Sequence, residues 1–227
     1  MFKKLCFITT CKGRLTHLRQ TAPLMIAQPC SQLVLVDWAC PEGSGDWIEQ
    51  NLRGSKVVRI LDDGPFHLSR ARNLGFAHTD ETDGDCICFI DADTMIRPEF
   101  SSIALGTMRK GTFLIMPKGR RGLGGVLVVS REEFSLSQHY DEQYVGYGRE
   151  ASDMRLALFY QGLRYVFLPP EIASPIDHGD DLRVTYYEDP DIRTGNLRNS
   201  ERLRRKLDEW RARTGKEPPD IYFLGPE

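Results

Sequence analysis

Runs of consecutive apolar residues alternate with longer segments of helical periodicity along the first half of the chain. The predicted strands cover residues 5–10, 33–36, 56–60 and 85–90, and the predicted helices cover residues 16–27, 45–52 and 67–78. Strands without polar alternation are buried on both faces, and strands joined through helices run parallel. The pattern therefore predicts an α/β fold with a mostly parallel central sheet.

The second half of the chain combines helices and strands less regularly. Helices are predicted over 98–108 and 150–161, and strands over 112–116, 125–129 and 165–168. Ser130, followed three residues later by Glu133, is typical of a capped helix start. Residues 140–149 are rich in Gly and Tyr, which predicts a loop before the helix that begins at Glu150.

The last part of the chain has its own composition. An acidic stretch beyond residue 179 precedes a basic segment, in which Leu203, Leu207 and Trp210 fall at positions i, i+4 and i+7. This spacing places the three side chains on one stripe of a helix. We favour a terminal helix that packs back on the domain. The alternative is a helix that contacts a second copy of the chain or lies peripherally on a membrane.

Composition limits the classes of partner. The 227 residues, of which 41% are hydrophobic, suffice for the core of one large or two small domains. A net charge of −2 gives no general attraction to nucleic acid, so no nucleic-acid partner is expected. No apolar run approaches the roughly 20 residues that span a bilayer, so no transmembrane segment is expected. Six cysteines without a C-x-x-C pair predict reduced thiols and a cytoplasmic location.

Asp91 and Asp93 carry the clearest chemical signal, because they follow a predicted buried strand and are separated by one residue. Side chains at i and i+2 of a strand point the same way, and neighbouring carboxylates repel unless a cation lies between them. Oxygen ligands suit Mg²⁺ and Mn²⁺. The pair therefore predicts a divalent-metal site, with a polar turn as the alternative. Thr10 ends the first predicted strand, and Asp37 and Asp62 follow the next two, at the sheet edge where ligands bind.

Segments spread over residues 4–180 together resemble one enzyme family. In chain order they read TTCKGR (9–14), SRARNLG (69–75), DAD (91–93), and GGV (124–126) followed by GYGRE (146–150). Their order and spacing resemble the GT-A glycosyltransferases, most closely the inverting family 2 enzymes and the family that contains the β-1,4-galactosyltransferases. The resemblance implies a GT-A, Rossmann-like, mostly parallel sheet flanked by helices, with a C-terminal helical extension.

The same resemblance implies how the chain is divided. Residues 1–95 would form the nucleotide-sugar-binding half, and residues 96–180 the acceptor-binding and catalytic half of the same domain. Residues 181–227 would form the C-terminal extension with its helix.

The resemblance also assigns residues to the nucleotide-sugar donor. They are Thr10, Lys12, Arg14, Asp37, Asp62, Arg72, Asp91 and Tyr147. Arg72 would face the diphosphate or orient Asp91. Asp37 would accept a hydrogen bond from uracil or bind ribose, with a turn-capping or helix-capping Asp as an equal alternative. Tyr147 lies in a glycine-rich loop that would close over the donor, and its ring would stack on a sugar.

The metal that the resemblance implies is Mn²⁺, or Mg²⁺. Asp93 would be the first direct ligand, and Asp91 would bind the metal, a water on the metal, or the ribose. His178 resembles the late histidine of the family, and neutral imidazole favours Mn²⁺ over Mg²⁺.

Glu150 and Asp153 are the candidate catalytic carboxylates. Their spacing of three makes them neighbours on one helix face, and an inverting transfer needs a general base for the acceptor hydroxyl. The chain departs from the galactosyltransferase pattern here, because Ala151 occupies the position after Glu150 where that family has its base. Either Glu150 or Asp153 supplies the base, or the mechanism differs.

These features predict a metal-dependent glycosyltransferase that uses a UDP-sugar such as UDP-galactose or UDP-N-acetylgalactosamine. The acceptor would be a hydroxyl of a glycan or a small molecule, and inversion is favoured. The alternatives are a retaining transferase of the same fold, a nucleotidyltransferase, and a nucleotide-sugar-binding module without activity. The nucleotidyltransferase is disfavoured because residues 9–14 contain a single Gly rather than a glycine-rich loop.

Overall fold

The computed structural model describes residues 2–117, 119, 122–189 and 191–217, so part of the predicted extension over 181–227 lies outside the described residues. The strands are β1 (Leu5–Cys11), β2 (Ser31–Trp38), β3 (Lys56–Ile60), β4 (Cys86–Phe89), β5 (Thr94–Ile96), β6 (Thr112–Ile115), β7 (Leu127–Ser130), β8 (Arg164–Phe167) and β9 (Ala173–Pro175). The helices are α1 (Leu15–Ile26), α2 (Ser44–Asn51), α3 (Leu68–Ala77), α4 (Phe100–Thr107), α5 (Arg131–Ser135), α6 (Glu150–Tyr160), α7 (Asp180–Val184) and α8 (Ile192–Thr214).

A seven-stranded sheet in the order β3-β2-β1-β4-β7-β6-β8 forms the centre of the fold. Its first four strands are parallel, as is the β6–β8 pair. Strand β7 runs antiparallel to both of its neighbours, β4 and β6. The predicted α/β architecture with a mostly parallel sheet is confirmed.

Both faces of this sheet are covered, as its continuous apolar strands require. Every residue of β1 is buried. One face packs against a cluster that includes Leu18 and Phe100, and the other packs against a cluster that includes Ala71, Phe134 and Met154. Burial on both sides fixes where the strands end, and therefore where the polar residues that follow them lie.

A second, two-stranded sheet pairs β5 with β9 and was absent from the predicted elements. Each strand has three residues, too few for a hydrophobic period to show. The pairing continues beyond β9, because the N–H of Ile176 donates to the carbonyl oxygen of Asp93 over 2.7 Å. This small sheet carries the chain that follows β9 back to the end of β4.

Helix α8 packs on α6 of the same chain. Leu203 and Leu207 are buried in a cluster with Leu156, and the ring of Trp210 stacks on Tyr160 at a centroid distance of 3.6 Å. The apolar stripe predicted for this helix therefore has an intramolecular partner, and a dimer or membrane contact through that stripe has no support. No helix in the described part of the chain is long and apolar enough to cross a membrane.

Candidate active site

A cleft of about 360 Å³ opens at the carboxyl ends of β1 and β4. Seven residues expected from the sequence to form the site line it: Thr10, Lys12, Arg14, Asp91, Asp93, Tyr147 and Glu150. They come from positions between 10 and 150 of the chain and meet at one edge of the sheet. This is the edge at which open α/β sheets bind their ligands.

Asp93, which lines this cleft, contacts His178, which does not line it, although 85 residues separate the two. The Nε2 atom of His178 lies 2.6 Å from Oδ2 of Asp93, and the side chains are 3% and 16% exposed, respectively. The β5–β9 pairing explains the meeting, because it aligns residue 176 with residue 93. Arg14 places a guanidinium nitrogen 3.0 Å from the same imidazole nitrogen and 3.4 Å from the carboxylate.

The two carboxylates at the end of β4 have different partners. The strand ends at Phe89, and the N–H of Thr94 donates to the carbonyl oxygen of Asp91, so both carboxylates lie in a turn. The expectation that they share one side of a strand is therefore wrong. Asp91 accepts a hydrogen bond from Arg72, whereas Asp93 contacts His178. Both nevertheless line the cleft.

Arg72 lies beneath the cleft floor, 1% exposed, and joins two acids from distant parts of the chain. Its guanidinium donates to Asp91 over 2.7 Å and to Glu150 over 3.2 Å. Burial disfavours the charge of Arg72, but Tyr140, Asp91 and Glu150 outweigh burial and hold its pKa above the ordinary value. Of the two roles expected for this arginine, the structure shows the contact that orients Asp91.

Gly125 leaves the space that the Asp91 carboxylate occupies. A Cβ atom at this position would lie 2.1 Å from Oδ2 of Asp91 and 2.8 Å from the guanidinium of Arg72. Distances this short exclude any side chain without displacement of the acid. The GGV segment therefore has a steric role in the site that periodicity could not indicate.

Glu150 reaches the cleft from the first turn of α6. The chain enters this helix through an unusual turn, with φ of 96° at Gly148 and 74° at Arg149. A positive φ is uncommon for a residue other than Gly and has to be held by its surroundings. The Glu150 side chain is 12% exposed, so it is accessible from the cleft and still paired with Arg72.

Asp153 does not reach the cleft. It is 1% exposed and faces α8, where it accepts hydrogen bonds from Lys206 over 2.7 Å and from the Tyr144 hydroxyl over 3.1 Å. Burial raises the pKa of Asp153, and Lys206 opposes that rise. Because α6 is buried on most sides, acids three residues apart face different neighbours. The structure therefore removes Asp153 from the candidate bases.

Two further carboxylates expected at the donor lie elsewhere. Asp37 is buried and accepts hydrogen bonds from the N–H groups of Cys40 and Gly45, both at 2.9 Å, so its capping alternative is the one observed. Asp62 lies two residues beyond β3, where it is exposed and accepts from the N–H of Gly64. Neither lines the cleft.

The segment around α7 adds cleft residues that the sequence did not single out. Arg183, Tyr186 and Tyr187 all line the cleft. A Cβ atom on Gly13 would lie 1.9 Å from the Tyr186 ring, so the first-strand exit and this ring are in close contact. The only available signal was the number of Tyr and acidic residues in the stretch after residue 179.

The donor atoms in the cleft fit a divalent cation by their chemistry. A carboxylate oxygen and an imidazole nitrogen converge, which is a set that Mn²⁺ accepts. Within the described residues, no group of three or more His, Cys, Asp and Glu side chains could hold a metal ion. An ion here would therefore depend on phosphate oxygens and water for most of its ligands, as nucleotide-bound metals commonly do.

No protein-family model matches the chain. It is 24% identical over 130 residues to β-1,4-galactosyltransferase 4 of Rattus norvegicus. The match covers 53% of this chain and 37% of the rat protein, so the chain corresponds to little more than a third of that relative.

Solved structures extend the comparison to nearly the whole chain. Mannosyltransferase PcManGT from Pyrobaculum calidifontis, in complex with GDP-Man and Mn²⁺, has a TM-score of 0.64 at 14% identity and covers 96% of this chain and 67% of its own. S. aureus TarS 1-349 in complex with UDP-GlcNAc has a TM-score of 0.62 at 12% identity, with coverage of 92% and 74%. The chain thus has the GT-A glycosyltransferase fold, which confirms the fold implied by the sequence resemblance.

Proposed function

We propose that this chain is a metal-dependent glycosyltransferase that takes a sugar from a nucleotide-sugar donor and transfers it to a hydroxyl acceptor. The observation that carries the proposal is the meeting of Asp93 and His178 at the sheet edge. A surface turn would not bring together two metal-binding side chains from opposite halves of the chain. The GT-A fold makes nucleotide-sugar transfer the chemistry to expect at this edge.

The metal would be held by Asp93 and His178, with Asp91 binding a water on the metal or the ribose of the donor. A divalent cation bound there would neutralise the negative charge that develops on the diphosphate leaving group. Lys12 and Arg14 line the same cleft and offer the diphosphate two further cations. In the structure, Arg14 is the cation that contacts Asp93.

Glu150 is the general base of the proposal. Its carboxylate would accept the proton of the acceptor hydroxyl while that oxygen bonds to the anomeric carbon and the bond from that carbon to the phosphate oxygen breaks. Arg72 keeps the acid in place by a direct hydrogen bond. A base on the face opposite the leaving group gives inversion, which is the stereochemistry we propose.

A UDP-sugar of the galactose type is the donor we favour. The GGV and GYGRE segments resemble galactosyltransferases, and the curated relative is named as one. PcManGT was solved with GDP-Man and TarS with UDP-GlcNAc, so the fold alone accommodates different donors. A glycan or small-molecule hydroxyl remains the proposed acceptor.

A nucleotide-sugar-binding module without activity is the second candidate. Ala151 favours it, because this residue stands where the galactosyltransferases have their base. The two candidates share the donor site and differ only in turnover. Donor binding without transfer or donor hydrolysis would select the binding module.

The test is thermal stability with UDP-, GDP-, CDP- and TDP-sugars, with and without Mn²⁺. A ligand present at ~100 times its dissociation constant should add about 2.7 kcal/mol to the free energy of unfolding. We expect stabilisation by a UDP-sugar only when Mn²⁺ is present. We also expect slow hydrolysis of that donor, measured as the appearance of UDP. No response to any nucleotide under either condition would contradict the proposal.

Asp93→Asn should abolish the Mn²⁺-dependent part of this stabilisation. Asp208→Asn is the matched control, because Asp208 is an exposed acid on α8 that pairs with Arg211 far from the cleft. The control should respond to the donor like the wild type. An equal response from both variants would show that Asp93 does not bind the metal.

A further inference from the structure

One buried side chain of α8 holds the backbone of the loop that enters α6. Asn199 is 1% exposed, and its Nδ2 atom lies 3.2 Å from the carbonyl oxygens of Val145 and Tyr147 and 2.9 Å from that of Gly148. In an asparagine side chain only the amide nitrogen can donate hydrogen bonds to carbonyl oxygens. Its two hydrogens are shared here among three acceptors. This one amide therefore contacts three of the four backbone carbonyl groups of residues 145–148.

Neighbouring side chains on the same helix add further contacts to this loop. Arg198 donates to the carbonyl of Val145 over 2.6 Å. The Nε of Arg149 donates to Oδ1 of Asn196 over 3.1 Å and to the Ser200 hydroxyl over 2.9 Å. Positions 196, 199 and 200 are three and four residues apart, so they lie on one face of α8. That face is directed at the loop.

Helix and loop also touch through their backbones at Gly195. A Cβ atom on this residue would lie 3.1 Å from the nitrogen of Tyr147 and 3.4 Å from its carbonyl oxygen. Glycine inside a helix weakens the helix, so its presence here is explained by the close approach of the loop. The contact leaves no room for the loop to move towards α8.

The loop has consequences for the cleft. It carries Tyr147 into the cleft lining and leads directly to Glu150. Gly146 and Gly148 adopt their φ angles of 77° and 96° without strain, whereas the φ of 74° at Arg149 has to be held by its surroundings. The contacts from α8 supply that constraint.

We infer that Asn199 is a positioning residue of the transferase site, acting through the carbonyls of residues 145–148 to place Tyr147 and Glu150. The inference rests on the proposed function. It gives α8 a second task besides packing, namely to set the geometry of the cleft wall that carries the proposed base. The donor wall, formed at the ends of β1 and β4, makes none of these contacts with Asn199.

The test compares Asn199→Leu with Leu207→Ala, which removes a buried side chain of α8 two turns further on. Both variants should lose stability, but only Asn199→Leu should lower kcat, by tenfold up to ~100-fold, as misplacement of a catalytic group does. The dissociation constant for UDP with Mn²⁺ should stay unchanged in both. Equal kcat values for the two variants at the same loss of Tm would overturn the inference.

Gly195→Ala provides a second variant, which disturbs the loop without removing the Asn199 amide. Alanine favours the helix over glycine, but its methyl group would lie 3.1 Å from the nitrogen of Tyr147, so kcat rather than Tm is the readout. The added methyl group pushes the Tyr147 backbone by a few tenths of an ångström, so kcat should fall. A wild-type kcat in Gly195→Ala would contradict the inference, and this variant decides the question if Asn199→Leu does not fold.

Failure of the proposed function can be distinguished from failure of this inference. No turnover of any donor by the wild type would count against the transferase proposal alone. Amide hydrogen exchange of residues 145–149 does not need turnover, and it should be faster in Asn199→Leu than in Leu207→Ala. Equal exchange in this segment would show that Asn199 does not hold the loop.

Discussion

The two walls of the cleft are built by different means. On the donor wall, Thr10 lies at the end of β1, and Lys12 and Asp93 follow β1 and β4, so the position of the sheet determines where they lie. On the opposite wall, Tyr147 belongs to a loop whose backbone is held by side chains of α8, and Glu150 begins the helix that follows this loop. The sheet topology therefore determines the position of the donor wall, which is the first wall. Individual tertiary contacts determine the position of the opposite wall, which is the second.

Arg72 connects the two walls. It donates to Asp91 on one side and to Glu150 on the other, from a fully buried position on α3. The same cation thus sets the distance between the proposed metal site and the proposed base. Substitution of Arg72 should therefore affect both walls, whereas substitution of a residue on one wall should affect that wall alone.

Glu150→Gln should give the largest effect and should confine it to the second wall. Loss of the general base should lower kcat by about 10²–10⁴-fold, because glutamine cannot accept the hydroxyl proton. Donor affinity should change little, since the nucleotide of the proposed donor would lie against the other wall. Steady-state kinetics together with donor titration separate the two quantities.

Glu132→Gln is the control for this change, because the Glu132 side chain is 70% exposed on α5 and, among the described residues, pairs with Lys110 over a long 3.9 Å. It should keep wild-type kinetics. A wild-type kcat in Glu150→Gln would remove Glu150 as the base and favour a mechanism that needs none from this wall.

Arg72→Met should disturb both walls at once. Removal of one partner of a buried ion pair leaves uncompensated charge, and we expect a loss of about 3 kcal/mol in the free energy of unfolding. The value is at the low end of the usual range because the Asp91 side chain is 32% exposed and keeps some water. Urea denaturation at neutral pH measures it.

Arg70→Met provides the comparison on the same helix. Arg70 is exposed, and its guanidinium lies 5.9 Å from the centre of the Trp38 ring, its one side-chain interaction among the described residues. A surface change of this kind should stay within about 0.5 kcal/mol. Similar losses in both variants would mean that Arg72 does not link the walls.

Asp141→Asn should give a smaller effect that depends on pH. Burial works against the charge of Asp141, but Lys206 and Arg202 of α8 outweigh it and lower the pKa from 3.8 to about 2. Because the pKa is lower in the folded state, the carboxylate stabilises the fold above pH 4 and stops doing so as the pH falls towards 2. The shift corresponds to about 2 kcal/mol at neutral pH.

Denaturation of the wild type and Asp141→Asn between pH 7 and pH 2 checks this expectation. The difference in stability should be constant at neutral pH and shrink below pH 4. A difference in the free energy of unfolding that does not vary with pH would show that the contact of Asp141 with α8 is not electrostatic. It would also count against the claim that α8 holds the second wall in place.

The sequence predicted the first wall well because buried parallel strands leave a simple signal. The third strand was predicted over the residues it occupies, and four strand ends in succession pointed to one edge. Capping Asp residues leave the same signal, so Asp37 was expected at the donor. It instead accepts hydrogen bonds from the backbone N–H groups of residues 40 and 45. Type and position of a strand-end carboxylate do not reveal what it contacts.

The second wall was harder to predict because its side chains are oriented by partners distant in sequence. Asp153 was grouped with Glu150 by helical spacing, but Lys206 draws it to the opposite side of α6. Asn199 carries no chemical signal of its own in the sequence. His178 was found only through the family resemblance, because three-residue strands bring it to Asp93. Contacts of this kind become visible only in the folded chain.

The most direct test of the account is Mn²⁺ binding in the presence of UDP, followed by the loss of free Mn²⁺ signal in electron paramagnetic resonance. His178→Gln should weaken Mn²⁺ binding by at least about tenfold, since loss of second-shell partners alone costs that much. His78→Gln, at the end of α3, should bind like the wild type. Equal Mn²⁺ affinity in His178→Gln and the wild type would contradict the claim that the two halves of the chain form one metal site.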